Sequence, residues 1–196
     1  VQGFGNVGSF FGTVAKDLEP TWKLVAASDS EAAVYSANGF DAEELQEFKA
    51  TRGRFKEYHK DEHKIISNDE LLALDVDVLV LAGFEDTVTA KNMRSIQAKY
   101  IVEMANGPIT SEAHEYLISQ DKVVLPDIIA NAGGVVVSYL EWLQNKAGEK
   151  WSEEEVNDKL GIYIKEAVSE MYAYSQQHTC SLSEAAFVLA IKRLVD

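Results

Sequence analysis

Gly3-Phe4-Gly5-Asn6-Val7-Gly8 follows an apolar stub, Val1-Gln2, and leads into Ser9 to Leu18, a stretch with helical character. It is a G-x-G-x-x-G run, and the chemistry explains each glycine. Gly3 allows the tight strand-to-helix turn, Gly5 lets the backbone approach a pyrophosphate, and Gly8 lets helix and strand pack closely. The helix that follows would aim its free N–H groups and positive dipole end at the phosphates, with Asn6 and Val7 in the turn ahead of it also expected to meet the coenzyme. Alone the pattern is weak. Here the next apolar segment, Lys23 to Asp29, ends on an acid twenty-one positions beyond Gly8, where a dinucleotide fingerprint expects an acceptor for ribose hydroxyls. Ser30 stands beside it. A ligand-free glycine turn is the competing reading, and the strand, helix and acid around the motif weigh against it.

Working outward, short apolar strands alternate with helices. Asp75 to Gly83, Ala98 to Ala105 and Lys122 to Asp127 have strand character, and helices are expected after Thr89 and over Ser111 to Ser119. Asp41 is expected to cap a helix over Asp41 to Lys49, with Glu44 placed for a capping box. Near-continuous apolar strands separated by helices imply an α/β fold. The expectation is a doubly wound, Rossmann-like, mainly parallel sheet with helices on both faces. Thr51 to Lys64 is the most polar stretch and reads as a loop. From residue 135 onward the chain turns helical, with capping boxes at Ser152/Glu155 and Ser181/Glu184. The whole of 1–196 is therefore expected to form one dinucleotide-binding domain with a C-terminal helical extension over 135–196.

Composition narrows the function. A net charge of −14 argues against a nucleic-acid partner, and no apolar run reaches the roughly 18–20 residues of a membrane span. A single cysteine, Cys180, cannot form an internal disulfide, which fits a cytoplasmic setting. His59 and His63 are four apart, but they lie in a charged segment without an evident third ligand. No metal site is expected.

The segments VQGFGNVG and VAASDS resemble the cofactor domain of the glutamate/leucine/phenylalanine/valine dehydrogenases. EMANGPIT (Glu103 to Thr110), LPDIIANAGGVVVSYLEWLQN (Leu125 to Asn145) and LSEAAFVLAIKRL (Leu182 to Leu194) extend the resemblance over essentially the whole chain. The long middle segment is more similar to the glutamate-specific branch than to the branched-chain one. The resemblance implies an NAD- or NADP-dependent amino-acid dehydrogenase that deaminates L-glutamate to 2-oxoglutarate and ammonia, working as a homo-oligomer. It implies that Asn106 and Asn131 hold the nicotinamide ring and ribose. It also implies that Val135 and Ser138, on one helix face, meet the substrate side chain, with the Ser138 hydroxyl on its distal carboxylate. The family carries its catalytic Lys and Asp on an N-terminal substrate domain. No part of this chain matches that domain, so no catalytic residue is assigned here and the chain alone is expected to be inactive. Val1-Gln2 is also shorter than a strand of about 5–6 residues, and the expectation is a fragment whose first strand is truncated.

Two positions depart from the family pattern. LAGFEDTVT (Leu81 to Thr89) puts Asp86 where a ribose-contacting Asn is usual, and Met104 replaces a Gly. They leave open a branched-chain or aromatic amino-acid dehydrogenase, or a non-catalytic dinucleotide-binding module. Between the coenzymes NAD is the expectation. Asp29 and Glu31 would repel a 2′-phosphate, and no Arg or Lys lies between Asp29 and Lys49 to offset them.

Overall fold

The computed structural model describes residues 1–59 and 62–195, and these form two compact units that divide at Val123/Val124. In the first unit, α1 (Asn6–Leu18) follows the glycine turn and β1 (Leu24–Ser28) follows α1. Then come β2 (Ala33–Phe40), α2 (Ala42–Arg52), a 3-10 turn at Phe55–Glu57, β3 (Lys64–Ile66) and α3 (Asn68–Leu72). β4 (Val78–Leu81), a 3-10 turn at Met93–Ser95, β5 (Tyr100–Glu103) and α4 (Ser111–Ser119) complete it, up to β6 (Val123–Leu125).

The short stub ties the sheet together. Val1 N donates to Ala26 O at 2.8 Å and Ser28 N to Val1 O at 3.1 Å, joining it to β1. Gln2 N donates to Val80 O and Ala82 N to Gln2 O, each at 2.8 Å, joining it in parallel to β4. β4 pairs with β5 in parallel from Val78↔Tyr100 to Leu81↔Glu103, and Val123 N donates to Lys99 O at 3.0 Å. The expected α/β fold with a parallel core is present.

The opposite flank is antiparallel, which the sequence reading missed. β1 turns directly into β2, and β2 pairs in turn with β3 from beyond α2, both antiparallel. The turn is made by Asp29, whose Oδ1 accepts from Glu31 N at 2.9 Å and Ala32 N at 3.1 Å, while its own N–H donates to Ala32 O at 2.9 Å. An aspartate bonding to the backbone two and three residues on is a turn former in its own right.

Other expectations need correcting too. The helix expected after Thr89 shrinks to one 3-10 turn, because Asn92 Oδ1 accepts from Thr89 N and closes the segment as a tight turn. The polar stretch Thr51 to Lys64 is not a plain loop: it buries Phe55 and Tyr58 and ends in β3. Lys60 and Asp61 within it, and Asp196 at the end of the expected domain, lie outside the described residues. Asp41 does cap α2, accepting from Glu43 N and Glu44 N, while the Glu44 carboxylate accepts from the Tyr58 hydroxyl at 3.2 Å.

One core cluster fixes the site's position. Phe4, set between two glycines of the turn, is fully buried with Ala27, Val34, Ala42, Leu45, Phe55 and Tyr58. Its ring lies 5.9 Å from that of Phe55. Burying an aromatic side chain contributes about 2–3 kcal/mol, so the turn is anchored by its one large apolar residue.

The second unit is helical: α5 (Asp127–Ala130), α6 (Gly133–Ala147), α7 (Glu153–His178) and α8 (Leu182–Val195). Ser152 and Glu155 form a full capping box at α7, and Ser181 and Glu184 bond reciprocally before α8. Met171, Ala185 and Ala186 make its core, with Leu125, Ile128 and Ile129 packed against them. No helix among the described residues is long and apolar enough to cross a membrane.

Candidate dinucleotide site

Three glycines of the turn have three different surroundings. A Cβ on Gly3 would stand 2.5 Å from Gly83 Cα, and Gly3 has φ +85°. A Cβ on Gly8 would stand 2.2 Å from Gly3 O. Both positions are closed to any side chain, since backbone cannot move aside as a rotamer can. Gly5 has nothing within 4 Å of the same point and sits as the N-cap of α1 with no side-chain cap. Ser9 N–H to Gly5 O, 2.9 Å, is the first α1 bond. The N–H groups of Asn6, Val7 and Gly8 therefore precede the intrahelical ladder, and Asn6 and Val7 are exposed.

β1 ends beside this turn. Ser28 is fully buried, accepts Gly3 N on its hydroxyl at 3.1 Å, and accepts Phe4 N on its carbonyl at 2.6 Å. Asp29, one residue on, makes protein contacts that the sequence did not reveal. Its Oδ2 accepts from Lys49 Nζ at 2.9 Å and from Phe55 N at 2.8 Å, in addition to the two turn N–H groups on Oδ1. A carboxylate has about four acceptor positions, and all are used by the protein. Burial alone would raise the Asp29 pKa, but the Lys49 ammonium and the three backbone donors outweigh it and hold it below its ordinary value. Ser30 is exposed in the same turn.

The charge setting is also different. Glu31 pairs with Arg54 and, at 2.6 Å, with Lys56. Lys49 closes the cation-free run that follows Asp29, and Arg54 and Lys56 lie beyond it. The turn after α2 folds them back. Reasoning from spacing missed all three; the signal it could have used is Phe55, an aromatic between two basic residues in an otherwise polar run. Among the described residues, Asn68 Oδ1 is a buried acceptor with no protein partner, and its Nδ2 donates to Asp29 O at 3.0 Å.

The loops after β4 and β5 are joined: Asp86 N donates to Gly107 O and Val88 N to Pro108 O, each at 2.9 Å, and Thr110 N donates to Val88 O at 3.0 Å. Asp86 has φ +51°. Asn106 lies exposed in the second of these loops. Thus Gly3, Gly5, Asn6, Val7, Gly8, Asp29, Ser30 and Asn106 all belong to the first unit, at the carboxyl ends of its central strands, where doubly wound folds take their ligands. Asn131, Val135 and Ser138 belong to the second. Asn131 ends α5, and Val135 and Ser138 are exposed one turn apart on α6. His63 has its Nε2 at 2.9 Å from Tyr58 O.

The sequence profile of the Glutamate/Leucine/Phenylalanine/Valine dehydrogenases matches residues 1–196. The chain belongs to that family. It is 41% identical over 204 residues to the NADP-specific glutamate dehydrogenase of Synechocystis, covering 100% of this chain and 47% of that protein. It is 40% identical over 196 residues to the NAD-specific glutamate dehydrogenase of Staphylococcus aureus, covering 100% of this chain and 46% of that one. Among solved structures, hetero-hexameric glutamate dehydrogenase from Thermus thermophilus superposes with a TM-score of 0.88 at 31% identity, covering 99% of this chain and 45% of that chain. The chain spans about half the length of the curated relatives it matches.

Proposed function

We propose that residues 1–196 are the coenzyme-binding domain of an NAD- or NADP-dependent glutamate dehydrogenase, with 135–196 as its helical extension. The observation that carries this reading is Gly5, open where a pyrophosphate would lie, between two glycines that the backbone itself requires. The residues fit the coenzyme. Asn6, Val7 and Gly8 offer N–H donors to its phosphates, Ser30 offers a hydroxyl to its ribose, and Asn106 and Asn131 offer amides to its nicotinamide end. When bound, the coenzyme accepts a hydride from the substrate amino acid and so supplies the oxidising chemistry.

In this reading the chain's own residues bind and orient. Val135 and Ser138 face the substrate, the hydroxyl donating to its distal carboxylate. An amide at Asn106 both donates and accepts, so it can fix which face of the ring is presented. The groups that move protons at the amino nitrogen lie outside these residues, on a substrate domain of the same enzyme. The intact protein is a cytoplasmic homo-oligomer with neither nucleic acid nor membrane as partner.

The test is NADH and NADPH fluorescence titration of the intact protein, followed by turnover with glutamate, leucine, phenylalanine and valine. Coenzyme binding with glutamate as the fastest substrate is expected. Faster turnover of a branched-chain or aromatic substrate would reassign the substrate, and binding without turnover of any would favour a non-catalytic module. The isolated chain is expected to bind a coenzyme and to deaminate nothing.

A further inference from the structure

Two acids stand at the carboxyl end of β1, and they are in different states. Asp29 has both oxygens occupied by Lys49 and three backbone N–H groups, so it has no free acceptor for a coenzyme. Glu31 is held by two side chains alone, Arg54 and Lys56. These cations are exposed and flank Phe55, which is fully buried. Lys49 fixes the same short segment from inside, with its Nζ on Gly53 O and Asp29 and 5.1 Å from the Phe55 ring centroid. A pinned backbone thus presents two positive side chains on Glu31, the residue after Ser30, at the strand end where the adenosine ribose of a dinucleotide is read.

We infer that Glu31, clamped between Arg54 and Lys56, sets the discrimination between NAD and its 2′-phosphorylated form, by occupying the cations that would otherwise bind that phosphate. The inference rests on the proposed coenzyme site. A 2′-phosphate carries about −1.5 to −2 charges at neutral pH and prefers guanidinium and ammonium donors. With Glu31 in place those donors are engaged and the phosphate meets a like charge. The ribose hydroxyls of NAD make no such demand on them. Removing the Glu31 charge leaves Arg54 and Lys56 in position, because Phe55 and Lys49, not Glu31, hold the segment.

The experiment measures NADH and NADPH affinity by coenzyme fluorescence in the intact protein. The parent should prefer NADH. Glu31→Gln should raise the NADPH-to-NADH affinity ratio about tenfold or more, as expected for one or two charge-assisted hydrogen bonds gained. Adding Arg54→Gln and Lys56→Gln to that variant should return the ratio to the parent value or below. An unchanged ratio in Glu31→Gln overturns the inference, as does a raised ratio that survives loss of both cations. If the parent binds neither coenzyme, the site reading itself falls, an outcome the NADH arm reports separately.

Discussion

At the glycine turn, Gly5 faces open space flanked by two glycines that the backbone has closed. At the end of β1, Asp29 shows the reverse: the residue expected to meet a ligand is filled by the protein's own donors. Both regions satisfy the same sequence pattern. The shape of the glycine turn was legible because Gly5 caps α1 and Gly8 is closed by Gly3 O, relations within residues three to eight, whereas the Gly83 backbone that closes Gly3 comes from a later element. The protein contacts of the acid were not legible, because they come from Lys49 and Phe55 on later elements. A motif position that depends on its neighbours in sequence is legible; one that depends on neighbours in space can serve the fold and the ligand equally well.

The comparison breaks most sharply at Gly3 and Gly8. Gly3→Ala should lower unfolding free energy by about 3 kcal/mol, because a positive-φ residue would also push a Cβ into the Gly83 backbone. Gly8→Ala should cost a similar amount against Gly3 O. Denaturant unfolding measures both, and a loss under about 1 kcal/mol would mean the close approach has been misread.

Asp29 should come next. Asp29→Ala would remove the turn acceptor and leave Lys49 without its partner in a half-buried setting, a loss of about 2–3 kcal/mol. Acid tests the same point with a defined sign. A carboxyl whose folded pKa is depressed contributes stability above its unfolded value, about 3.9, and that contribution fades as pH falls through the folded value. The parent's stability should therefore drop in that acid window, and Asp29→Asn should drop less steeply across it. Equal slopes would show that the Lys49 pairing contributes little.

The sequence disclosed the parallel core because the runs around Leu79 to Leu81 and Ile101 are apolar, and these residues are buried. It hid β2 and β3, since Ala33–Phe40 carries small and polar residues without a strong alternation, and β3 is only Lys64–Ile66. The helix start at Asn6 was missed for a related reason. Gly8 looks like a helix breaker, whereas here it is the contact that sets the helix against the strand. The cation cluster stayed invisible because a tight turn returns Arg54 and Lys56 to Glu31, and charge spacing carries no record of that turn.

Gly5 sharpens the contrast by separating stability from binding. Gly5→Ala has room for its methyl group and an unstrained backbone, so stability should change by less than about 0.5 kcal/mol. The methyl group would nevertheless stand where a pyrophosphate must approach, and NADH affinity should fall about tenfold or more. Unchanged affinity in a normally stable variant would remove the main support for the phosphate site.

The smallest effect is expected at Asp86, where the chain departs from the family's usual Asn. Its φ of +51° and its N–H bond to Gly107 O place it in the left-handed region, joining the loops after β4 and β5. Asn and Asp both visit that region readily because their short polar side chains bond locally. The backbone thus accepts either residue, and the departure leaves the loop geometry intact. Asp86→Asn should shift stability by less than about 0.5 kcal/mol, whereas Asp86→Ala should cost about 1 kcal/mol for forcing an ordinary residue into the same conformation. Thermal unfolding of the pair measures the difference. If alanine is tolerated as well as asparagine, the left-handed turn is not what selects this residue, and a role for the Asp86 carboxylate itself gains ground.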